Sequence, residues 1–137
     1  MDFQEIKNSI LQWAKDYDAC SGEYLKAESA SNDAELLAVI THNWFWVWDH
    51  NLPLELLEAF GEESLKQVNI VIVRDGVFKA VSQFVRADGN STVEATNCAT
   101  INSYNKNGHT VNQFAICRYA SYLNGKLAVE FKMPQKE

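Results

Sequence analysis

A short repeat in the second half of the chain constrains the fold more than any other feature. Four tripeptides read large apolar, polar, small: Phe78-Lys79-Ala80, Val85-Arg86-Ala87, Val93-Glu94-Ala95 and Ile101-Asn102-Ser103. Their first residues lie 7, 8 and 8 positions apart. Because side chains alternate between the two faces of a strand, the first and third residues of each unit share a face. The pattern predicts short strands with apolar and small residues inside, and with Arg86, Glu94 and Asn102 outside.

Short strands at a fixed spacing fold in two ways. They stack as a β-solenoid, here with about two octads in each coil, or they pair as an antiparallel meander. We favour the solenoid, because inward Ala and Ser side chains permit close stacking. We predict that Val85, Val93 and Ile101 stack in line, and that the polar segment Tyr104 to Gly108 forms a loop.

Two dipeptides in this half are typical of hairpin turns. Asp75-Gly76 follows the β-branched run Ile70 to Val73 and predicts a strand pair at that point. Asn124-Gly125 predicts a second hairpin between the closing strands Phe114 to Cys117 and Leu127 to Phe131.

The first 68 residues carry apolar side chains at three- and four-residue spacing, which is typical of amphipathic helices. Asp2 is the predicted N-cap of the first helix and Ser21 that of the second. Pro53 and Gly61 are the start and stop signals of a later helix. Glu62 to Gln67 adds one more helical turn.

The third helix has the clearest beginning. Asn32, with Glu35 three residues later, resembles a capping box and precedes a helix through Trp48. On that continuous helix Ile40, Trp44 and Trp48 face the core. Trp46 falls on the opposite side.

That opposite face is the candidate binding surface, and it comprises Val39, His42, Trp46 and His50. An exposed Trp beside an aliphatic residue is typical of an interface. We predict that the β half of the chain or a second copy in a homodimer covers Trp46.

Length and composition favour one α+β domain over residues 1–137, with a helical subregion at 1–68 and a β repeat subregion at 69–137. The chain has 47% hydrophobic and 22% charged residues, as in packed proteins. Its apolar runs are too short to span a membrane, and no export signal is evident. Three cysteines without metal-site spacing favour reduced thiols in the cytoplasm.

Charge is distributed unevenly between the halves. Residues 1–68 hold 13 acidic and 4 basic side chains, a net charge of −9, whereas residues 69–137 hold 5 acidic and 8 basic ones, a net charge of +3. Basic and aromatic residues do interleave in the second half, but the acidic half repels phosphate. Nucleic-acid binding is therefore not expected.

Catalytic and metal-site patterns are lacking in the sequence. No nucleophile accompanies a base in a known motif, and no glycine-rich phosphate loop follows a strand. His42 and His50 with Asp49 are chemically able to share a metal. However, the two histidines lie eight residues apart, where a helical metal site places ligands three or four apart, so we interpret them as surface residues. We expect no catalytic residue, metal or cofactor.

Seven segments of the chain carry a family resemblance: Trp13-Ala14, Cys20 to Tyr24, Glu35 to Ile40, Asn43-Trp44, Leu54 to Phe60, Gly89 to Ala95 and Ala115 to Arg118. They resemble a family of small proteins from gut bacteria and their phages, which have a helical N-terminal region and octad repeats of the Asn-Ser-Thr-Val-Glu-Ala type. The resemblance implies the helical and β-repeat architecture and phage ancestry. It implies no activity and no site.

Two functions fit these observations. The first is a non-enzymatic binding or scaffold module, phage or mobile-element derived, that acts through protein contacts. The alternative is a phage counter-defence factor that sequesters a nucleotide signal or masks a host nuclease.

Overall fold

The computed structural model describes residues 1–103, 110–111, 115–123 and 126–132, and it describes side chains up to residue 103 and at 115–116. The fold is α+β, with helices followed by strands. The chain divides into two compact units, Met1–Val68 and Asn69–Glu137. This division falls where the sequence changes from helical to strand periodicity.

The helical unit is described throughout and contains six helices. They are α1 (Phe3–Asp16), α2 (Ser21–Ser29), α3 (Asp33–His42), α4 (Trp44–Asp49), α5 (Leu54–Glu58) and α6 (Glu62–Gln67). None of them is long and apolar enough to cross a bilayer, and the same holds for the rest of the described residues.

Helix caps follow the local chemistry of the sequence. The Oδ1 atoms of Asp2 and Asn32 accept the backbone N–H groups three residues later at 2.8 and 2.9 Å, which confirms both N-caps. Glu35 bonds back to the backbone N–H and hydroxyl of Ser31, one residue before the cap. The prediction for α2 is wrong by one position, because Ser21 is already helical and Cys20 is the N-cap, without a side-chain bond.

The predicted continuous third helix is wrong, because it breaks at Asn43 between α3 and α4. Asn43 has φ −113° and ψ 32°, outside the helical range. Its Nδ2 donates to the carbonyl oxygen of Val39 at 2.9 Å and to Glu23 Oε2 at 3.1 Å. Asparagine side chains compete in this way with the helical hydrogen-bond ladder, and here the competition ends one helix and starts another.

The prediction that Gly61 caps the end of α5 is wrong by two residues, because the C-cap is Ala59 and Gly61 is the N-cap of α6. The φ of Gly61, +91°, is in the region that favours glycine, and its N–H donates to the carbonyl oxygen of Glu58 at 3.0 Å. The α6 turn follows directly. The side chains buried most completely in this unit are Leu36, Leu37, Trp48 and Leu57.

The β unit contains six strands within its described residues. They are β1 (Ile70–Val81), β2 (Phe84–Thr96), β3 (Thr100–Ser103), β4 (Thr110–Val111), β5 (Ile116–Leu123) and β6 (Lys126–Lys132). The sheet order is β1-β2-β3-β5-β6, with β4 also paired to β2.

Pairing from β1 to β5 is parallel throughout. Ile70 pairs with Phe84, Phe84 with Thr100, and Thr100 with Ile116, so the interval is fourteen residues at the first step and sixteen at the next two. The antiparallel meander is therefore wrong for these strands. Only β5 and β6 are antiparallel among the described pairs.

The Asp75-Gly76 hairpin is also wrong. Strand β1 continues through both residues, and its register with β2 shifts by one residue between Val73 and Asp75. Gly76 has φ +72° and Gly89, on the opposing strand, has φ +60°. The Asp-Gly pair thus accommodates an irregularity inside a parallel ladder instead of reversing the chain.

The inner positions of the repeat are buried as expected, but not all in one line. Val85, Val93 and Ile101 are each fully buried in one apolar cluster. Val85 pairs with Ile101, whereas Val93 pairs with Phe78, so the predicted line of three is wrong for Val93. Residues eight apart lie at different places along the strand pairs, and residues sixteen apart are neighbours.

The predicted outer face is correct only in part. Glu94 is exposed and Arg86 is half-buried, but Asn102 is fully buried. Strand β3 lies between β2 and β5, so neighbouring strands cover both of its edges. Strand pairing covers edges and not faces, so other groups must cover the face of β3 that carries Asn102.

The predicted antiparallel closing pair is confirmed, but its first strand is β5 (Ile116–Leu123) and not Phe114 to Cys117. β5 and β6 pair from Cys117 with Lys132 to Leu123 with Lys126. The predicted turn residues Asn124-Gly125, the predicted loop Tyr104 to Gly108, and Phe114 lie outside the described residues.

Candidate binding pocket of the helical unit

A cavity of about 100 Å³ lies within the helical unit, among the first four helices. Ten apolar residues line it: Ile10, Trp13, Ala14, Ala19, Ala27, Leu36, Val39, Ile40, Trp46 and Val47. Four residues bring polar atoms to the lining: Cys20, Glu23, Tyr24 and Asn43. The pocket is therefore apolar over most of its wall.

Helical spacing explains how so many residues meet at one place. Both α1 and α3 contribute residues at positions i, i+3 and i+4, which lie side by side on a helix, and α2 contributes Glu23, Tyr24 and Ala27. For α1 these are Ile10, Trp13 and Ala14. The break at Asn43 then redirects the chain, so that α4 adds Trp46 and Val47 to the wall.

Four rings form an aromatic cluster beside the pocket, consisting of Trp13, Tyr17, Trp46 and His50. Trp13 meets Trp46 edge to face with ring centroids 5.5 Å apart, and His50 stacks on Trp46 at 4.1 Å. Tyr17 contacts both Trp13 and His50. The Trp13 indole N–H also donates to the carbonyl oxygen of His50 at 2.8 Å. These contacts hold the two tryptophan rings of the wall in fixed orientations.

Glu23 is the charged residue of the pocket lining. Its Oε2 accepts the amide N–H of Asn43 at 3.1 Å, and its Oε1 lies 3.2 Å from the ammonium of Lys26. The Asn43 hydrogen bond, followed by the contacts with Lys26, lowers the pKa of Glu23 below its ordinary value of 4.5. The pocket therefore carries a negative charge at neutral pH.

The structure brings together three of the four predicted site residues. Val39 and Trp46 line the pocket, and His50 lies against the Trp46 ring with its Nδ1 2.8 Å from the Trp46 carbonyl oxygen. His42 is exposed at the end of α3 and is not part of the lining. The prediction placed all four residues on one straight helix, whereas the break at Asn43 separates His42 from Trp46 and His50.

Sequence reasoning missed the contribution of α1. We expected the β half or a second copy to cover Trp46, whereas Trp13 packs against it from within the helical unit. Trp46 is half-buried as a result. Glu23 and Asn43 were also missed, because no local signal connects residues twenty positions apart.

The described residues contain no group of three His, Cys, Asp or Glu side chains arranged to hold a metal ion. Cys20 and Cys98 are exposed free thiols, and Cys20 lies at the pocket. The pocket thus offers apolar contact, one carboxylate and a thiol. These groups suit binding.

Comparison with known proteins gives no match. No protein-family model, no curated protein and no solved structure is similar enough to this chain to be matched with it. The chemistry of the pocket is therefore the basis for a functional proposal.

Proposed function

We propose that this chain is a non-enzymatic binding module that acts through protein contacts, and that its pocket receives a side chain from the partner. One observation carries the proposal: a small apolar cavity whose wall includes Trp13 and Trp46, two rings held in place by their neighbours. Buried aromatic anchors and the small pockets they fill dominate the energetics of protein interfaces.

The size and charge of the pocket favour this function over the sequestration of a nucleotide. Pockets for drug-sized ligands usually enclose about 300 to 1,000 Å³, whereas this one encloses about 100 Å³. The ionised carboxylate of Glu23 would also repel a phosphate group. A single protein side chain suits the space better.

The β unit is proposed as the scaffold of the module, in the form of a short β-solenoid of octad repeats. Two observations support this reading. Ser82 and Gln83 alone separate the parallel strands β1 and β2, although a parallel pair in a flat sheet needs a crossover of about a dozen residues. The near-constant interval between partners also suits a chain that returns to the same position once per coil.

Ancestry and location belong to the same proposal. The resemblance of the Gly89 to Ala95 segment to octad repeats supports descent from a phage or mobile element. The free thiols of Cys20 and Cys98 suit a reducing compartment such as the cytoplasm. If the partner is a second copy of the chain, the complex is a homodimer.

The proposal is tested by filling the pocket. Val39→Phe adds bulk at a lining position, whereas Ala38→Phe adds a larger increment at the neighbouring exposed position of α3. We expect affinity capture from a lysate of the native host to recover a partner with wild type and Ala38→Phe, and to lose most of it with Val39→Phe. Mixed tagged and untagged chains would reveal a second copy as that partner.

Equal capture by both variants, or no specific capture by wild type, would contradict a role for the pocket in protein contacts. Circular dichroism should show both variants to be folded. A thermal-shift screen with nucleotides tests the competing function, since a sequestered nucleotide raises the melting temperature of the wild type.

A further inference from the structure

The pocket has an apolar wall and a single charged lining group. Trp13, Val39 and Trp46 supply apolar surface, and Glu23 supplies the carboxylate. The complement of such a pocket is a short hydrocarbon stem that ends in a cation. Among protein side chains, lysine combines four methylenes with a compact ammonium group.

We infer that the pocket takes the side chain of a lysine on the partner protein, with its methylenes against Trp13, Val39 and Trp46 and its ammonium at the Glu23 carboxylate. This inference rests on the proposed function and names the chemistry of the group that is bound.

The size of the cavity agrees with a lysine side chain. A cavity of about 150 Å³ holds benzene, which has six heavy atoms, and this one has about 100 Å³. The lysine side chain has five heavy atoms in a line, and part of it remains in the opening. The planar guanidinium of arginine is wider and requires a flat binding slot with several acceptors.

The aromatic wall contributes to cation binding as well as to apolar contact. A cation within about 6 Å of a tryptophan ring is attracted to the negative face of the ring. The Trp46 ring stacks on His50 and forms a T-shaped pair with Trp13, so its position is fixed before a ligand arrives. A wall that is ordered in advance loses little conformational entropy on binding.

In the free protein Lys26 forms an ion pair with the Glu23 carboxylate, and this pair leaves the carboxylate accessible to a second cation. The Lys26 side chain is 64% exposed and that of Glu23 is 25% exposed, so their ion pair is largely solvated and contributes little. The ammonium of a lysine in the pocket competes with Lys26 for the same carboxylate, while its methylenes gain the apolar contacts that Lys26 lacks. The net charge of −9 on residues 1–68 attracts a basic partner toward the same unit.

The test compares two probes that differ only in the ammonium group. Nα-acetyl-lysine-N-methylamide and Nα-acetyl-norleucine-N-methylamide share the four-carbon stem, and NMR shifts of the tryptophan indole N–H groups report binding to the full chain. We expect the lysine probe to bind more tightly than the norleucine probe. Glu23→Gln should weaken the lysine probe by roughly tenfold, as for the loss of one charge-assisted hydrogen bond, and should leave the norleucine probe nearly unchanged.

Glu28→Gln is the matched control. It removes the same charge from an exposed position of the same helix and outside the pocket, so it should leave both probes nearly unchanged. Lys26→Met removes the competing ammonium and should strengthen the lysine probe, which gives an independent check should Glu23→Gln fold poorly.

The outcomes separate the inference from the proposed function. Equal binding of the two probes, or equal weakening by Glu23→Gln and Glu28→Gln, would overturn the lysine inference while leaving an apolar pocket for protein contacts. Failure of both probes to shift any indole signal, together with unchanged capture by Val39→Phe, would overturn both.

Discussion

The backbone of β2 approaches that of β1 closely at Gly89, and replacing this residue tests the parallel register. A Cβ atom added there would lie 2.5 Å from the carbonyl oxygen of Arg74 on β1, closer than real Cβ atoms come to any neighbour. Gly76 provides a matched control, because it also has a positive φ but nothing within 4 Å of its added Cβ. Gly89→Ala and Gly76→Ala therefore share the conformational strain and differ in the clash.

The magnitudes follow from these two terms. A left-handed conformation costs an alanine about 1 to 2 kcal/mol, and the loss of glycine's freedom in the unfolded chain offsets about 0.4 to 1 kcal/mol. We therefore expect Gly76→Ala to lower the free energy of unfolding by about 1 kcal/mol. Gly89→Ala should lose a further amount of about 1 to 3 kcal/mol, because backbone atoms of β1 and β2 must move apart.

Urea denaturation followed by far-ultraviolet circular dichroism measures the global effect, and hydrogen exchange of the β2 amides measures the local one. Tryptophan fluorescence is not suitable, since Trp13, Trp44, Trp46 and Trp48 all belong to the helical unit. Equal losses of stability in the two variants would refute the close approach at Gly89. They would also refute the pairing of β1 with β2 over the stretch from Val73 on β1 to Asn90 on β2.

Two further changes test burial and charge. Ala95 is buried and pairs with Ala80, so Ala95→Leu should overpack the apolar cluster and lower the free energy of unfolding by about 1 to 3 kcal/mol. Glu94→Leu at the exposed neighbouring position should not lower it. Equal denaturation midpoints for the two variants would place Ala95 outside the cluster. The backbone N–H and then the hydroxyl of Ser31 lower the pKa of Glu35 below 4.5, so its stabilisation is present above that pH and is lost as pH falls through the folded-state pKa. Urea denaturation should show Glu35→Gln less stable than wild type at pH 7, with the difference shrinking on acidification below pH 4.5; a constant difference would contradict this.

The features that the sequence predicts well are those set by neighbours in the chain. Asp2 and Asn32 act as N-caps because a short side-chain oxygen reaches an N–H three residues ahead, whatever the rest of the fold does. The change to strand periodicity at Asn69 reflects the burial of alternate side chains.

The features that the sequence misses depend on distant partners. Asp75-Gly76 permits a positive φ, and this property serves a hairpin and a register shift equally well, so the dipeptide alone does not distinguish them. Asn43 breaks a helix because Val39 and Glu23 accept its amide, and Glu23 comes from another helix. The pocket itself joins residues from 10 to 47, and Val39 and Trp46 were identified only as an uncovered face.

The parallel ladder limits how a gene for such a protein can change in length. Val85 pairs with Ile101, and Ile101 pairs with Cys117, so the chain returns to an equivalent neighbour after sixteen residues. A duplication or deletion of sixteen codons within this stretch keeps every later side chain on its original face and beside an equivalent partner. Insertion or deletion of one codon moves every later side chain to the opposite face of its strand, as far as the next turn whose length can compensate. Homologous recombination between repeats is therefore expected to leave variants that differ in length by multiples of sixteen residues.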